Sequence, residues 1–424
     1  MNKLIRAASI LSLGTASLAL TNHTAVAQDT GRPWQLSAAL NGFYDDNIYT
    51  APSKDPATGL KNPAKVDSFG FEVKPSVKYA ITPEDGTSLS FQYTYSARYY
   101  EGRPPGNNKW DQSHFVNLAG KHTVSPRLSL EAYDRFAYTQ EPEQQGATVL
   151  PFRTKGNNTS NHGGVAAVVE LATSLSAVVS YRNDYFSYED ASYKARLNRI
   201  EHNPSLDLRY QIDPTLTAFV GYRYGLVDYN SGLFLDPGTN LLPSSLRDSQ
   251  SHYITAGADK NFSDNLKATV RGGVQIIDYT KTARKTEVSP YVDANLTYVF
   301  QPGSSAQVGV RHEHNATDVF NPTPLTNEVV QDQESTTSYL LLTHAVTARI
   351  TAKGVFQYQN SSYVGGAVNG KTEDLITAGL TLSYMISTNV YVDASYNYDR
   401  LKSEAIAFRE FSRNRVSLGV RGTF

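Results

Sequence analysis

The chain has 424 residues, 40% hydrophobic, 19% charged and 11% aromatic, with 28 Tyr, 2 Met and no Cys. A formal charge of −1 excludes the basic field that a nucleic-acid partner requires. The lack of cysteine excludes a disulfide framework, an iron–sulfur site and a thiolate zinc site.

The first predicted element is a leader. Lys3 and Arg6 open the chain, an apolar run extends from Ala7 to Leu20, and Ala25, Val26 and Ala27 follow. This is the three-part pattern of a secretory signal peptide, with cleavage expected after Ala27. The run is too short to cross a bilayer as a helix, which takes about 20 residues. Residues 28–424 then remain as one domain. A chain of that length normally divides into several cores, but no linker, charge block or shift in composition marks a boundary.

Instead one pattern repeats: a strand, a short turn, a strand and a longer polar loop. The first strand is expected over residues 34–49. Turns follow at residues 82–86, 125–127, 173–174, 213–214, 263–265, 301–304 and 387–389. An eighth, at Thr347 and Ala348, is placed by spacing. Their Gly, Pro, Asn, Asp and Ser residues reverse a chain for backbone reasons. The longest loops are placed at residues 140–154 and 231–247. A final strand runs from about Phe411 to Phe424. The count is about 18 strands (16–18).

Within the strands, polarity alternates. Leu89, Phe91, Tyr93, Tyr95, Ala97 and Tyr99 share one face, and Ser88, Ser90, Gln92, Thr94, Ser96 and Arg98 the other. The same reading separates Leu216, Ala218, Val220 and Tyr222 from Thr217, Gly221 and Arg223. It also separates Leu266, Ala268, Val270 and Val274 from Lys267, Thr269 and Arg271. Period two puts one face in an apolar medium and the other in a polar one. Asp134 falls on the apolar side of its strand. Pro75, Pro204 and Pro290 recur in strands that precede turns. A proline lacks one ladder donor, so kinks or bulges are expected there.

Such a meander could bury its apolar face as a soluble protein, or turn it to lipid. Strands of roughly 12 to 15 residues favour lipid, because soluble strands usually have about 5–6. Tyrosines at both strand ends point the same way. Tyr49, Tyr99, Tyr138, Tyr188, Tyr229 and Tyr279 lie near loops, and Tyr79, Tyr210, Tyr298 and Tyr384 near turns. They suit two interfacial belts. The expected fold is all-β: a single transmembrane antiparallel up-and-down β-barrel with short periplasmic turns and longer extracellular loops. At a strand spacing of ~4.8 Å and a tilt of ~40°, its diameter would be about 36 Å.

Tyr44-Asp45-Asp46-Asn47-Ile48-Tyr49, the P-x-V-x-Y strands and the all-barrel length resemble the porin-2-like β-barrel porin family of Gram-negative outer membranes. That resemblance implies an outer-membrane location, and some members are encoded with exopolysaccharide systems. The alternating terminus ending on Phe424 is similar to the assembly signal of such barrels. The partners implied are outer-membrane lipid and lipopolysaccharide, the barrel assembly machinery and periplasmic polysaccharide-export components.

The lumen's chemistry follows from the alternation. Arg98, Arg135, Arg182, Arg223, Arg271 and Arg311 fall on the non-lipid face, as do Glu72, Glu131, Asp184, Asp207, Asp293, Glu313, Asp393 and Asp399. Charged rings can select ions; equally, the two signs can pair across strands and stiffen a wet interior. On their own strands, Asp184 lies near Arg182 and Glu131 near Arg135, so these two arginines are expected to be paired. Arg98, Arg223 and Arg271 are expected to be unpaired.

No catalytic or metal site is expected, and no cofactor. His312 and His314 share one strand face, but it is the lipid-facing one. Asp45, Asp46 and Asn47 have calcium-type oxygens, though a solvated turn accounts for them. Gly-rich phosphate loops are absent. The expected function is passive passage of small hydrophilic solutes or ions. The alternatives are a conduit for exported polysaccharide, or a structural or adhesive barrel with a closed lumen.

Overall fold

A computed structural model describes residues 33–83, 86–141, 156–230, 232–235, 241–320 and 328–424. The expected leader and most of the 140–154 loop lie outside these residues. The first half of the chain forms β1 (Trp34–Asp45), β2 (Ser68–Ile81), β3 (Ser88–Tyr100), β4 (Trp110–Ser125), β5 (Leu128–Thr139), β6 (Asn158–Ala172), β7 (Leu175–Tyr188), β8 (Arg199–Asp213) and β9 (Leu216–Asp228). A small pair, β10 (Leu233–Leu235) and β11 (Leu241–Pro243), occupies the next loop. The second half forms β12 (Ser249–Ser263), β13 (Leu266–Tyr279), β14 (Glu287–Gln301), β15 (Ser304–Asn315), β16 (Val330–Ala345), β17 (Ile350–Gly365), β18 (Thr372–Ser387), β19 (Val390–Ser403) and β20 (Phe411–Thr423). A short helix α1 (Ala191–Leu197) lies between β7 and β8.

Apart from β10 and β11, these strands make one 18-stranded antiparallel sheet. It closes where β1 pairs with β20, from Ser37 opposite Thr423 to Asp45 opposite Arg415. The burial pattern is inverted relative to a soluble sheet. Val220 and Val270 are 56% and 53% exposed, whereas inward Thr255 and Gln275 are 7% and 1% exposed. Apolar side chains outside and polar ones inside are the arrangement lipid imposes on a barrel.

Eight turns join the strands at one end, as the sequence predicts, and six of them leave two residues between strand bounds. Before each of these six, the incoming strand carries one extra residue, a β-bulge that tightens the twist. The other end carries the longer loops. The longest connection is residues 46–67, not the 140–154 or 231–247 segments expected.

The three prolines act as expected, with one difference. Each keeps its ladder to the preceding strand. Toward the following strand the ladder skips Lys74 and Pro75, then resumes, and likewise skips Asn203 and Pro204. At Pro290 it does not resume: the outermost β14–β15 pair is Val292 with His312.

Inward aromatic rings lie directly opposite glycines on four strand pairs: Phe43 over Gly70, Tyr133 over Gly164, Phe219 over Gly257 and Tyr339 over Gly309. Any larger residue would collide; a Cβ at Gly257 would stand 2.2 Å from the Val270 carbonyl oxygen.

The hydrophobic clusters sit at the loop end rather than in mid-barrel. Tyr188, Tyr229 and Tyr279 are buried there, at 6%, 2% and 5% exposure, and so do not belong to an outer belt. Tyr210, Tyr298 and Tyr384 are exposed near the turns, as expected. Asp134 does point outward, and its carboxylate accepts from the Asn161 amide at 2.9 and 3.1 Å.

Candidate functional site

The barrel lumen is the candidate site. Arg98, Arg135, Arg182, Arg223, Arg271 and Arg311 all line cavities within it. The antiparallel register brings acids from neighbouring strands beside them, which changes the expected pairing. Arg98 is not unpaired: its Nε lies 3.0 Å from Glu72, which also accepts from Ser96 at 2.6 Å. Nor is Arg271, which reaches Asp207 at 2.7 Å across β9 and β12. Gly221 makes that span possible, since a Cβ there would stand 2.0 Å from Asp207 Oδ1. Arg223 also has a partner, Glu313 at 3.5 Å, and its guanidinium lies 3.6 Å from the centre of the Tyr253 ring.

Of the two arginines expected to be paired on their own strands, Arg182 is beside Asp184 at 2.9 Å. His162 meets the same carboxylate at 2.7 Å. Glu131, however, pairs with Lys121 at 2.8 Å rather than with Arg135. Arg311 meets Asp293 at 2.8 Å and Glu313 at 3.9 Å. The remaining inward acids Asp393 and Asp399 meet Arg421 and Arg415 at 2.9 and 2.5 Å. Sequence reasoning found the charges but not their partners, because a partner on the adjoining strand depends on register.

The space between these side chains divides into cavities of about 120, 330 and 520 Å³. The first and third share Tyr133, Arg135, Arg182, Asn203, Arg223 and Tyr253 as lining and lie as neighbours in a column from the loop end toward the turns. The second lies along the β1–β20 closure, beside Asn41, Glu72 and Arg98.

Above the column the loops fold together. Val319, Val330, Tyr363 and Val368 form one apolar cluster, and Leu242 with Val329 another. Arg409 fastens the β19–β20 connection to the β15–β16 connection and to β18, bonding Asp318 at 2.9 and 3.2 Å and Glu373 at 3.0 Å. Burial opposes its charge, yet these carboxylates hold the guanidinium well above its ordinary value. Arg247 is buried with no carboxylate partner among the described residues; it donates to the carbonyls of Arg196 and Thr317. Burial pushes its pKa below the ordinary value. None of these loop contacts was visible as a sequence pattern.

The other singled-out groups are engaged by protein partners. Asp45 binds Arg413 through Nε at 3.0 Å, and Asp46 accepts from Asn414 N at 2.7 Å. Asn47 donates to Ser412 O at 3.0 Å. The Tyr44–Tyr49 motif is therefore a corner that fastens β1 to β20, and its oxygens already have donors. His314 does not face lipid, whereas His312 stays on the strand face of Val308, partly exposed near the outer rim. His312 Nε2 lies 3.1 Å from Glu334, and His314, 7% exposed, lies 3.3 Å from Asp332.

The family model described as Putative beta-barrel porin 2 matches residues 89–424. No curated protein matches the chain. By structure the chain is similar to a BenF-like porin from Pseudomonas fluorescens Pf-5, with 10% identity and a TM-score of 0.46, covering 92% of this chain and 99% of that one. It is also similar to the outer membrane protein opdK from Pseudomonas aeruginosa, with 10% identity, a TM-score of 0.45 and the same coverages. A third is OccAB3 from Acinetobacter baumannii, with 11% identity and a TM-score of 0.42, covering 92% and 99%.

Proposed function

The chain belongs to the family described as Putative beta-barrel porin 2, and from that membership we propose that it passes small hydrophilic solutes or ions passively across the outer membrane. One observation carries the reading: a closed barrel, apolar outside, encloses neighbouring cavities lined by charged and polar side chains. A low-dielectric wall around a wet, charged interior is what a water-soluble solute needs to cross lipid. Cavities of about 120 to 520 Å³ suit small solutes rather than a polysaccharide chain.

Residues 1–27 serve as the export signal, cleaved after Ala27. The barrel assembly machinery inserts the product beside lipopolysaccharide, and the chain performs no catalysis. The test is current through single barrels in a planar bilayer. Discrete conductance steps are expected; a barrel that inserts but stays silent would favour the structural or adhesive alternative.

A further inference from the structure

We propose that the junction between β14 and β15 is a lateral doorway through which small hydrophilic solutes pass between the lumen and the outer-leaflet headgroup layer. This rests on the channel reading above. The barrel wall is not hydrogen-bonded there. β13 pairs with β14 all the way to Glu287, and β15 with β16 to Asn315, but β14 and β15 part above Val292 and His312. Pro290 has no N–H to extend that ladder.

Beyond this point the upper ends of β15, β16 and β17 lie inside the β13–β14 wall. Asp332 and Val364 stand on the faces that lower down turn Leu340 and Phe356 to lipid. Here they meet residues on the inward face of β13. Tyr279 donates to Asp332 at 2.8 Å, and Val364 packs on Ile277 and Tyr279. Side chains alone close the overlap. The Gln275 amide takes the place of a strand, accepting from His314 N at 2.9 Å and donating to its carbonyl at 3.4 Å. Ser289 donates to Glu334 at 2.5 Å, and Glu334 also holds His312 at 3.1 Å.

A passage needs space behind it and a reason to avoid the axial route. The cavity of about 120 Å³ is lined by Gln275, His314, Asn315 and Asp332 on this side. At this end of the barrel the described loop residues gather into apolar clusters. Counting up β14 from the turn-side Tyr298, the last paired residue Val292 is six residues away and Val288 ten, so the gap begins in the outer part of the hydrocarbon and its upper end reaches the outer interface. Its lining of His312, Glu334 and Ser289 favours hydrophilic solutes over lipid tails.

The chain has no cysteine, so introduced pairs can be bridged cleanly. One variant carries Ser289→Cys with Glu334→Cys across the doorway, and a second carries Leu242→Cys with Val329→Cys in the loop cluster above. Each is treated with a short bifunctional methanethiosulfonate, and potassium chloride conductance is measured in planar bilayers. Bridging the doorway should cut conductance roughly tenfold, reversibly with reductant, while bridging the loops should change it by less than about twofold. Gln275→Ala, which removes the bonds to His314 together with the one to Tyr253, should lengthen open times. The doorway is overturned if its bridge leaves the current unchanged while the wild type conducts, if the loop bridge closes the channel, or if Gln275→Ala leaves open times unaltered. A wild-type barrel without current overturns the channel reading itself, and the doorway with it.

Discussion

Val220 and Thr217 lie on one strand, yet one meets lipid and the other faces the wet interior beside Asp259, its partner on the adjoining strand β12. The same contrast holds for Val270 and Thr269, whose hydroxyl donates to Asp259 at 2.7 Å. Arginine at Val220 or Val270 should therefore cost about 2–4 kcal/mol near mid-bilayer. At Thr217 or Thr269 the loss should be small, because water and a carboxylate receive the charge. Reversible denaturant unfolding in lipid vesicles measures both, and equal costs would mean that the faces are misassigned. The lumen gives a second prediction. Replacing Arg98, Arg223 and Arg271 by Gln uncovers Glu72, Glu313 and Asp207, and should move the reversal potential toward cation preference. Glu72→Gln, Asp207→Asn and Glu313→Gln together should move it toward anions by a similar amount, with the wild type near zero. Both shifts should shrink with salt, since the Debye length is about 10 Å at 0.1 M and ~3 Å at 1 M. A response to the arginine set alone would mean that the row carries unneutralised charge. The identity and facing of these residues were legible in the sequence, since period two is a local signal. Their pairing was not: Arg271 and Asp207 are joined by a register that runs through two intervening strands, β9 and β12.

At the scale of elements, β20 does two tasks. Its backbone closes the cylinder, with Phe424 N donating to Leu36 O at 2.7 Å and Leu36 N to Phe424 O at 3.0 Å. Its terminal side chain, 76% exposed, remains free on the outside. Phe424→Asp, or deletion of Phe424, should lower the amount of heat-modifiable folded barrel and raise periplasmic degradation. Wild-type levels of the folded form would show that the residue is dispensable for assembly. The proline strands show how far local reading extends. A missing donor was foreseeable at Pro75, Pro204 and Pro290 alike, and each does interrupt the ladder to the following strand. What differs at Pro290 is the inward course of β15 to β17, which depends on contacts with β13. Three of the six loop-end tyrosines, Tyr188, Tyr229 and Tyr279, leave the outer belt for a similar reason: Tyr188 packs with Phe186 and Leu197 beneath α1, not against lipid.

For the whole molecule, the count of strands was recoverable because turns and alternation are written every few residues. The roof over the lumen was not, because Val319, Val330 and Val368 come from separate segments with no shared period. The bulged turns have a consequence at this scale. Each two-residue turn, with its extra residue on the incoming strand, fixes the parity with which the next strand presents its faces. Losing or gaining one residue there would turn a whole strand's lipid face inward. The opposite end has slack, since connections such as residues 46–67 and 229–248 can absorb added length without touching the ladder. Descendants of this sequence are thus free to lengthen and diversify only on the side that faces phage, antibody and the outside world, while the periplasmic rim stays bound to a fixed ruler.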